Sequence, residues 1–263
     1  MSAGAAATRE GVAALAAALH QARAQRQPMP QPDVSWLDLP AAYSVQHAGI
    51  ALREAAGERL SGAKMGFTSR AKMAQMSVHE MIIGQLTDAM HVEDGGTLVR
   101  NQAIHPRVEP EVAMLLGREL HAIEHASQLV GAVEAVAPAM EIIDSRYADF
   151  RFSLDAVVAD NTSGFGFVVG PWRRVPPALD NLGIVMQFDA RVRQLGSSAA
   201  ILGSPWRALH AAWQLARRHG LKVSAGSVLL AGAATAADPL PAAGLVQAEV
   251  AGLGRVSFRV EGG

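Results

Sequence analysis

Apolar residues recur along this chain with two different periods. Val12, Leu15 and Leu19 share one face of a helix, and Pro28, Pro30 and Pro32 then end it in an extended linker. A second helix is predicted from Asp38 as cap, Pro40 in the first turn and Ala42, Val45, Ile50 and Leu52 as apolar positions, with Gly57 as its stop. These two helices form an N-terminal helical cover over residues 1–60, ahead of a β-rich remainder over 61–263.

Past the cover the period shortens. Ala63 to Ser69 reads as a short strand, and the Met-rich stretch from Arg70 to Met90 as a short helix followed by irregular chain up to Gly84-Gln85-Leu86-Thr87-Asp88. Asp94-Gly95-Gly96 is a turn. Val112 to Leu116 is an unbroken apolar run, so the strand that contains it is covered on both faces, and Pro138 to Asp144 is a second such strand. Ser127 to Val136 is predicted helical, with Leu129, Val133 and Val136 on one face. A helical turn at Asp155–Ala159, a polar loop at Asp160–Gly164 and a strand at Phe165–Val169 follow. Leu182–Phe188 and Ala190–Leu195 read as a hairpin. Ser204 caps a helix with Trp206, Leu209, Trp213 and Ala216 inward and Gly220 as its stop. Strands at Val228–Leu230, Val246–Val250 and Val256–Val260 close the chain, the last two joined by Gly252-Leu253-Gly254. The expected class is α+β, with a mixed, largely antiparallel, barrel-like or rolled β core and an N-terminal helical part.

Carboxylates interrupt the two most apolar strands. Glu109 and Glu111 point to the same face, their Cα atoms roughly 6.5 Å apart. Glu-x-Glu alone fits an edge strand with a polar face better than a metal site. Glu141, flanked by Met140 and Ile142, tips the balance, because three half-buried anions are costly without a cation. A hard divalent ion such as Mg²⁺ or Mn²⁺ suits carboxylate oxygens. Lys64 is a single cation amid apolar residues, read either as part of such a site or as a lysine snorkelling at a strand end.

Composition narrows the partners. With 263 residues, 50% of them hydrophobic, the chain can bury a large core, and Lys+Arg 23 against Asp+Glu 24 leaves no nucleic-acid footprint and no polybasic membrane patch. The early apolar run carries Glu10, ends at His20 and lacks a basic lead, unlike a signal peptide. No stretch reaches the roughly 18 apolar residues of a membrane span. The absence of cysteine excludes disulfides, thiolate metal sites and cysteine nucleophiles and fits a reducing, cytoplasmic setting. No dinucleotide-binding, P-loop or nucleophile-elbow motif occurs, and His121 and His125 lack the helix that a zinc pair needs.

Six motifs, in order, carry a resemblance: Lys64-Met-Gly-Phe-Thr-Ser69, Leu86-Thr-Asp-Ala-Met90, Arg107-Val-Glu-Pro-Glu-Val-Ala113, Pro138-Ala-Met-Glu-Ile-Ile-Asp-Ser-Arg146, Ala159-Asp-Asn-Thr-Ser163 and Gly252-Leu-Gly254. From about residue 40 onward the chain resembles the 2-keto-4-pentenoate hydratase / 4-oxalocrotonate decarboxylase family, of the fumarylacetoacetate-hydrolase fold. Asp238 and the Pro-Ala-Ala-Gly244 segment depart from its pattern. The resemblance implies a catalytic domain over 61–263, Glu109, Glu111 and Glu141 as ligands of Mg²⁺ or Mn²⁺, and Lys64, Asp88, Asp160 and Ser163 as catalytic polar groups.

The implied activity is decarboxylation of 2-oxohex-3-enedioate (4-oxalocrotonate) to 2-hydroxypenta-2,4-dienoate, in meta-cleavage breakdown of aromatic compounds. The alternative is hydration of that dienol, and a non-catalytic subunit that keeps the fold is a third reading. Ile104-His105-Pro106 and the segment through Lys72 favour the decarboxylase. Arg146, Lys72 and His105 are the candidates to meet a distal carboxylate, and each also has a structural reading. The implied partners are a small 2-oxo acid, and a homo-oligomer or a complex with a homologous hydratase.

Overall fold

The computed structural model describes residues 7–69 and 80–262. In chain order its principal elements are α1 (Arg9–Gln25), α2 (Leu39–Ala55), β1 (Leu60–Gly66), β2 (Ile82–Thr87), β3 (His91–Val92), β4 (Thr97–Val99), β5 (Arg107–Leu116), β6 (Val133–Ile143), α3 (Leu154–Ala159), β7 (Gly164–Val169), β8 (Gly183–Phe188), β9 (Arg191–Ser197), α4 (Pro205–His219), β10 (Val228–Leu230), β11 (Asp238–Pro239), β12 (Gly244–Val250) and β13 (Gly254–Glu261). The expected class, α+β with a mixed and largely antiparallel rolled core, is the one observed. One sheet runs β2-β1-β10-β5-β6-β7-β3 with β11 added beside β5, and a second runs β4-β13-β12-β8-β9. Among the described strands only β1–β10, β3–β7 and β4–β13 pair in parallel.

The helix signals read from sequence act as expected. Asp38 Oδ1 accepts from Ala41 N at 2.9 Å and Ser204 Oγ from Trp206 N at 3.3 Å, and the hydroxyl of Thr8, unmarked by that reading, accepts from Gly11 N at 3.0 Å. Gly220 ends α4 with φ 68°, a left-handed cap that favours glycine. Leu15, Leu19, Ala42 and Val45 are buried in the main core and Ile50 is buried beside them in the chain, whereas Leu52 is exposed. No helix among the described residues is long and apolar enough to cross a membrane.

Two segments differ from the expectation. Ile82–Thr87 is not irregular chain but a fully buried strand paired with β1. The short helix expected just before it falls on residues 70–79, outside those described. Residues 127–136 are not a helix: short 3-10 turns lead into β6, whose Val133 and Val136 face Leu116 and Met114 of β5. Leu129, Val133 and Val136 have helical spacing, but Gly131 weakens a helix there and β-branched residues fit a paired strand, so the long β5 partner decides.

The β5–β6 register places the carboxylates. Val108 faces Ile142, Glu109 faces Glu141 and Pro110 faces Met140. Val108, Met140 and Ile142 pack against Val246, Ala248, Val256 and Phe258 of the second sheet. Successive side chains alternate, so Glu109, Glu111 and Glu141 project together from the opposite face.

Candidate metal centre

The three glutamates are brought together. One oxygen of each lies within 4.8 Å of the others, and Glu109, Glu111 and Glu141 are 7%, 0% and 1% exposed. Lys64, on β1, places Nζ 2.8 Å from Glu141 Oε1, with both side chains buried, so the snorkelling alternative does not describe it. Gly232 N donates to Glu111 Oε2 at 2.7 Å, while Glu111 Oε1 is buried without a hydrogen-bond partner among the described residues. Burial, then the charges of Glu141 and Glu109, push the Glu111 carboxyl well above the usual carboxylate range. Burial also raises Glu141, against the pull of Lys64. A hard divalent cation fits the donor set of three clustered carboxylates and the unpartnered Glu111 oxygen.

Gly232 holds its N–H in place through an unusual backbone. Its φ is +105°, and an added Cβ would lie 2.1 Å from Thr68 Oγ1. Only glycine meets both conditions without strain.

Beside the carboxylates is a cavity of about 270 Å³, bordered by Lys64, Glu109, Glu141, Arg107, Phe150 and Ser163 among others. Ser163 and its neighbour Thr162 reach it from a turn in which Asn161, Thr162 and Ser163 have φ of 47°, 51° and 58°. Three successive left-handed residues are costly and need outside support. Asn161 supplies it, donating from Nδ2 to Gln85 O and accepting at Oδ1 from Gln85 N, both at 2.8 Å. Gly84 allows the approach, since a Cβ there would lie 2.3 Å from Thr162 Oγ1. The Thr162 and Ser163 hydroxyls are buried and lack partners among the described residues.

Other expected site residues lie elsewhere. Asp88 is exposed, its Oδ1 accepts from Arg59 N at 2.9 Å and Ala89 N at 2.8 Å, and it borders a different cavity. It caps the turn after β2, because the strand that replaces the expected irregular chain ends at Thr87 and carries Asp88 away from the carboxylates. Asp160 sits behind the Thr162–Ser163 turn, accepting from Arg146 N at 3.0 Å and paired with Arg146 Nε. Burial pushes its carboxyl up to about 6 although Arg146 pulls it down. Arg146 is spent on Asp160 and on the carbonyls of Asp144 and Gly164, so it is not free to meet a substrate. The His105 ring lies tilted against Phe150, 4.6 Å between centroids, and does not border the cavity; Lys72 lies outside the described residues. Asp238 pairs with Arg193 at 3.1 Å and adds β11 to the edge of β5.

Arg107 and Phe150 are among the cavity residues that sequence reasoning passed over. Arg107 precedes Glu109 by two positions, so the same alternation that joined the glutamates also placed it on their face.

Comparison with known proteins agrees with this geometry. The family described as fumarylacetoacetate (FAA) hydrolase C-terminal matches residues 14–261. A 4-oxalocrotonate decarboxylase of a Pseudomonas species is 54% identical over 221 residues, covering 84% of this chain and 86% of that one. A 2-keto-4-pentenoate hydratase of Burkholderia vietnamiensis is 36% identical over 224 residues, 83% of this chain and 85% of that one. The solved 4-oxalocrotonate decarboxylase from Pseudomonas putida G7, complexed with magnesium and adipate, superposes with TM-score 0.90 at 35% identity, covering 97% of this chain and 98% of that one. The chain therefore belongs to the fumarylacetoacetate hydrolase family, within the group that holds the 4-oxalocrotonate decarboxylases and 2-keto-4-pentenoate hydratases.

Proposed function

We propose that this protein is a metal-dependent lyase that converts 2-oxohex-3-enedioate to 2-hydroxypenta-2,4-dienoate and CO₂. The observation that carries the reading is the buried Glu109–Glu111–Glu141 cluster beside a cavity that also holds Lys64. Mg²⁺ or Mn²⁺ held by these three glutamates would supply a Lewis acid for the 1-carboxylate and 2-oxo oxygens of the substrate. Loss of the distal carboxylate sends its bonding electrons through the alkene to the 2-oxo oxygen. Lys64 Nζ, fixed beside Glu141, is placed to stabilise the negative charge that develops there and to hold a proton near that oxygen. Thr162 and Ser163 offer hydroxyls that could orient the substrate, and Phe150 and Phe152 provide apolar walls that limit water. Asp88 and Asp160 have no part in the step; Asp160 acts through the turn that it and Arg146 support.

Hydration of the dienol is the second reading. The unpartnered Thr162 and Ser163 hydroxyls favour it, because they could hold a water. In either case the partner is a small 2-oxo acid or its dienol, and we place the protein in the cytoplasm. Association with itself or with a homologous hydratase, the consumer of its product, belongs to the same reading, as does the division into a cover at 1–60 and a catalytic part at 61–263. The test is CO₂ release from 2-oxohex-3-enedioate with Mg²⁺, abolished by chelation and by Glu111→Gln. Release that persists in chelator would overturn the metal assignment.

A further inference from the structure

Arg107 is the first residue of β5 and shares the face of Glu109 and Glu111, with the Cα of Glu109 roughly 6.5 Å along the strand. Its guanidinium lies over the Phe150 ring, 4.4 Å from the centroid. That ring is aimed by two successive left-handed residues, Asp149 at φ 57° and Phe150 at φ 54°. Backbone held in that region costs of order 1–3 kcal/mol per residue and persists where the surroundings require it. Among the described residues, Lys64 is committed to Glu141 and Arg146 to Asp160. Arg107 has no carboxylate within ion-pair distance among the described residues, although it borders the same cavity.

A fork of donors stacked on an aromatic plate suits a planar, bidentate carboxylate. Arg107 borders the same cavity as Glu109 and Glu141, so a dioate gripped at one end by the glutamate-bound metal can turn its other end toward Arg107. We propose that Arg107, braced by Phe150, is the specificity-determining residue for the second carboxylate of a dicarboxylic substrate. This rests on the metal-dependent lyase reading, and it assigns the distal contact to a residue other than Arg146, Lys72 or His105.

The experiment compares adipate with hexanoate as ligands of the Mg²⁺-loaded protein by calorimetry, alongside kcat/KM for 2-oxohex-3-enedioate. Arg107→Met should weaken adipate binding about 10- to 100-fold, the loss of a charge-assisted contact, and leave hexanoate binding within about twofold. Arg107→Lys should recover part of the loss. Phe150→Leu, which keeps the charge and removes the plate, should weaken adipate alone by a smaller factor and serves if Arg107→Met does not fold. Equal effects on adipate and hexanoate, or none on adipate, would overturn the assignment. Were the wild-type protein to bind adipate selectively through Arg107 yet release no CO₂ from the dioate, the decarboxylase reading would fall while this contact stood.

Discussion

The ammonium of Lys64 lies 2.8 Å from Oε1 of Glu141, and both side chains are buried. This pair offsets one of three clustered carboxylates. Lys64→Met removes the offset, and breaking a buried pair from one side costs on the order of 3–5 kcal/mol. Thermal melting in chelator should therefore fall sharply for the variant, saturating Mg²⁺ should recover much of the difference, and turnover should stay depressed at least about 100-fold. Melting and kinetics both unchanged would remove Lys64 from the site.

Gly232→Ala tests the backbone that serves Glu111. At φ +105°, with Thr68 Oγ1 2.1 Å from the new Cβ, alanine must shift the chain that donates to Glu111 Oε2. A stability loss of about 1–3 kcal/mol is expected in urea unfolding, together with weaker Mn²⁺ binding by electron paramagnetic resonance. Wild-type Mn²⁺ affinity in a destabilised variant would separate the two roles.

Asn161→Ala removes both hydrogen bonds that tie the left-handed turn to the β2 edge at Gln85. Stability should fall by about 1–3 kcal/mol. Turnover should fall with it, because Thr162 and Ser163 lose their placement. A variant less stable but kinetically normal would show that those hydroxyls do not contact substrate.

His219 gives the fold a pH dependence of known sign. Its ring stacks on Tyr43 at 3.7 Å, and burial, helped by the charges of Arg218 and His47, lowers it from 6.5 to about 4. The folded state keeps this imidazole neutral where the unfolded chain would protonate it. The contribution is present above pH 6.5 and is lost as pH falls toward 4. His219→Gln should flatten that part of the stability profile, measured by urea unfolding at successive pH values. An unchanged slope would assign the acid sensitivity to other groups.

Much of this was legible because two signals are local. Helix caps at Asp38, Ser204 and Gly220 act within a turn of their own position, and the alternation of Glu109 and Glu111 follows from strand geometry. The convergence of Glu141 was readable only as chemistry, a carboxylate among Met and Ile, since the register that sets it opposite Glu109 belongs to the folded sheet. Residues 127–136 misled because a strand start can imitate helical spacing when its partner lies elsewhere in sequence. For Asp88 and Asp160 the limit is different: a motif marks a residue without saying whether it meets substrate or holds a turn, and their hydrogen bonds are to turn backbone and to Arg146. Arg107 could have been found by extending the period-two reading one step before Glu109, whereas Phe150 depends on two left-handed residues that no local pattern announces.

The most direct test is the ratio of kcat/KM for the six-carbon 2-oxohex-3-enedioate to that for the five-carbon 2-hydroxypenta-2,4-dienoate, measured on the Mg²⁺-loaded protein. This ratio reports differential transition-state binding. A decarboxylase releases CO₂ from the dioate with at least about a 100-fold preference over dienol hydration, a difference of roughly 2.7 kcal/mol. Efficient hydration of the dienol with no CO₂ from the dioate would contradict the account and make the protein a hydratase.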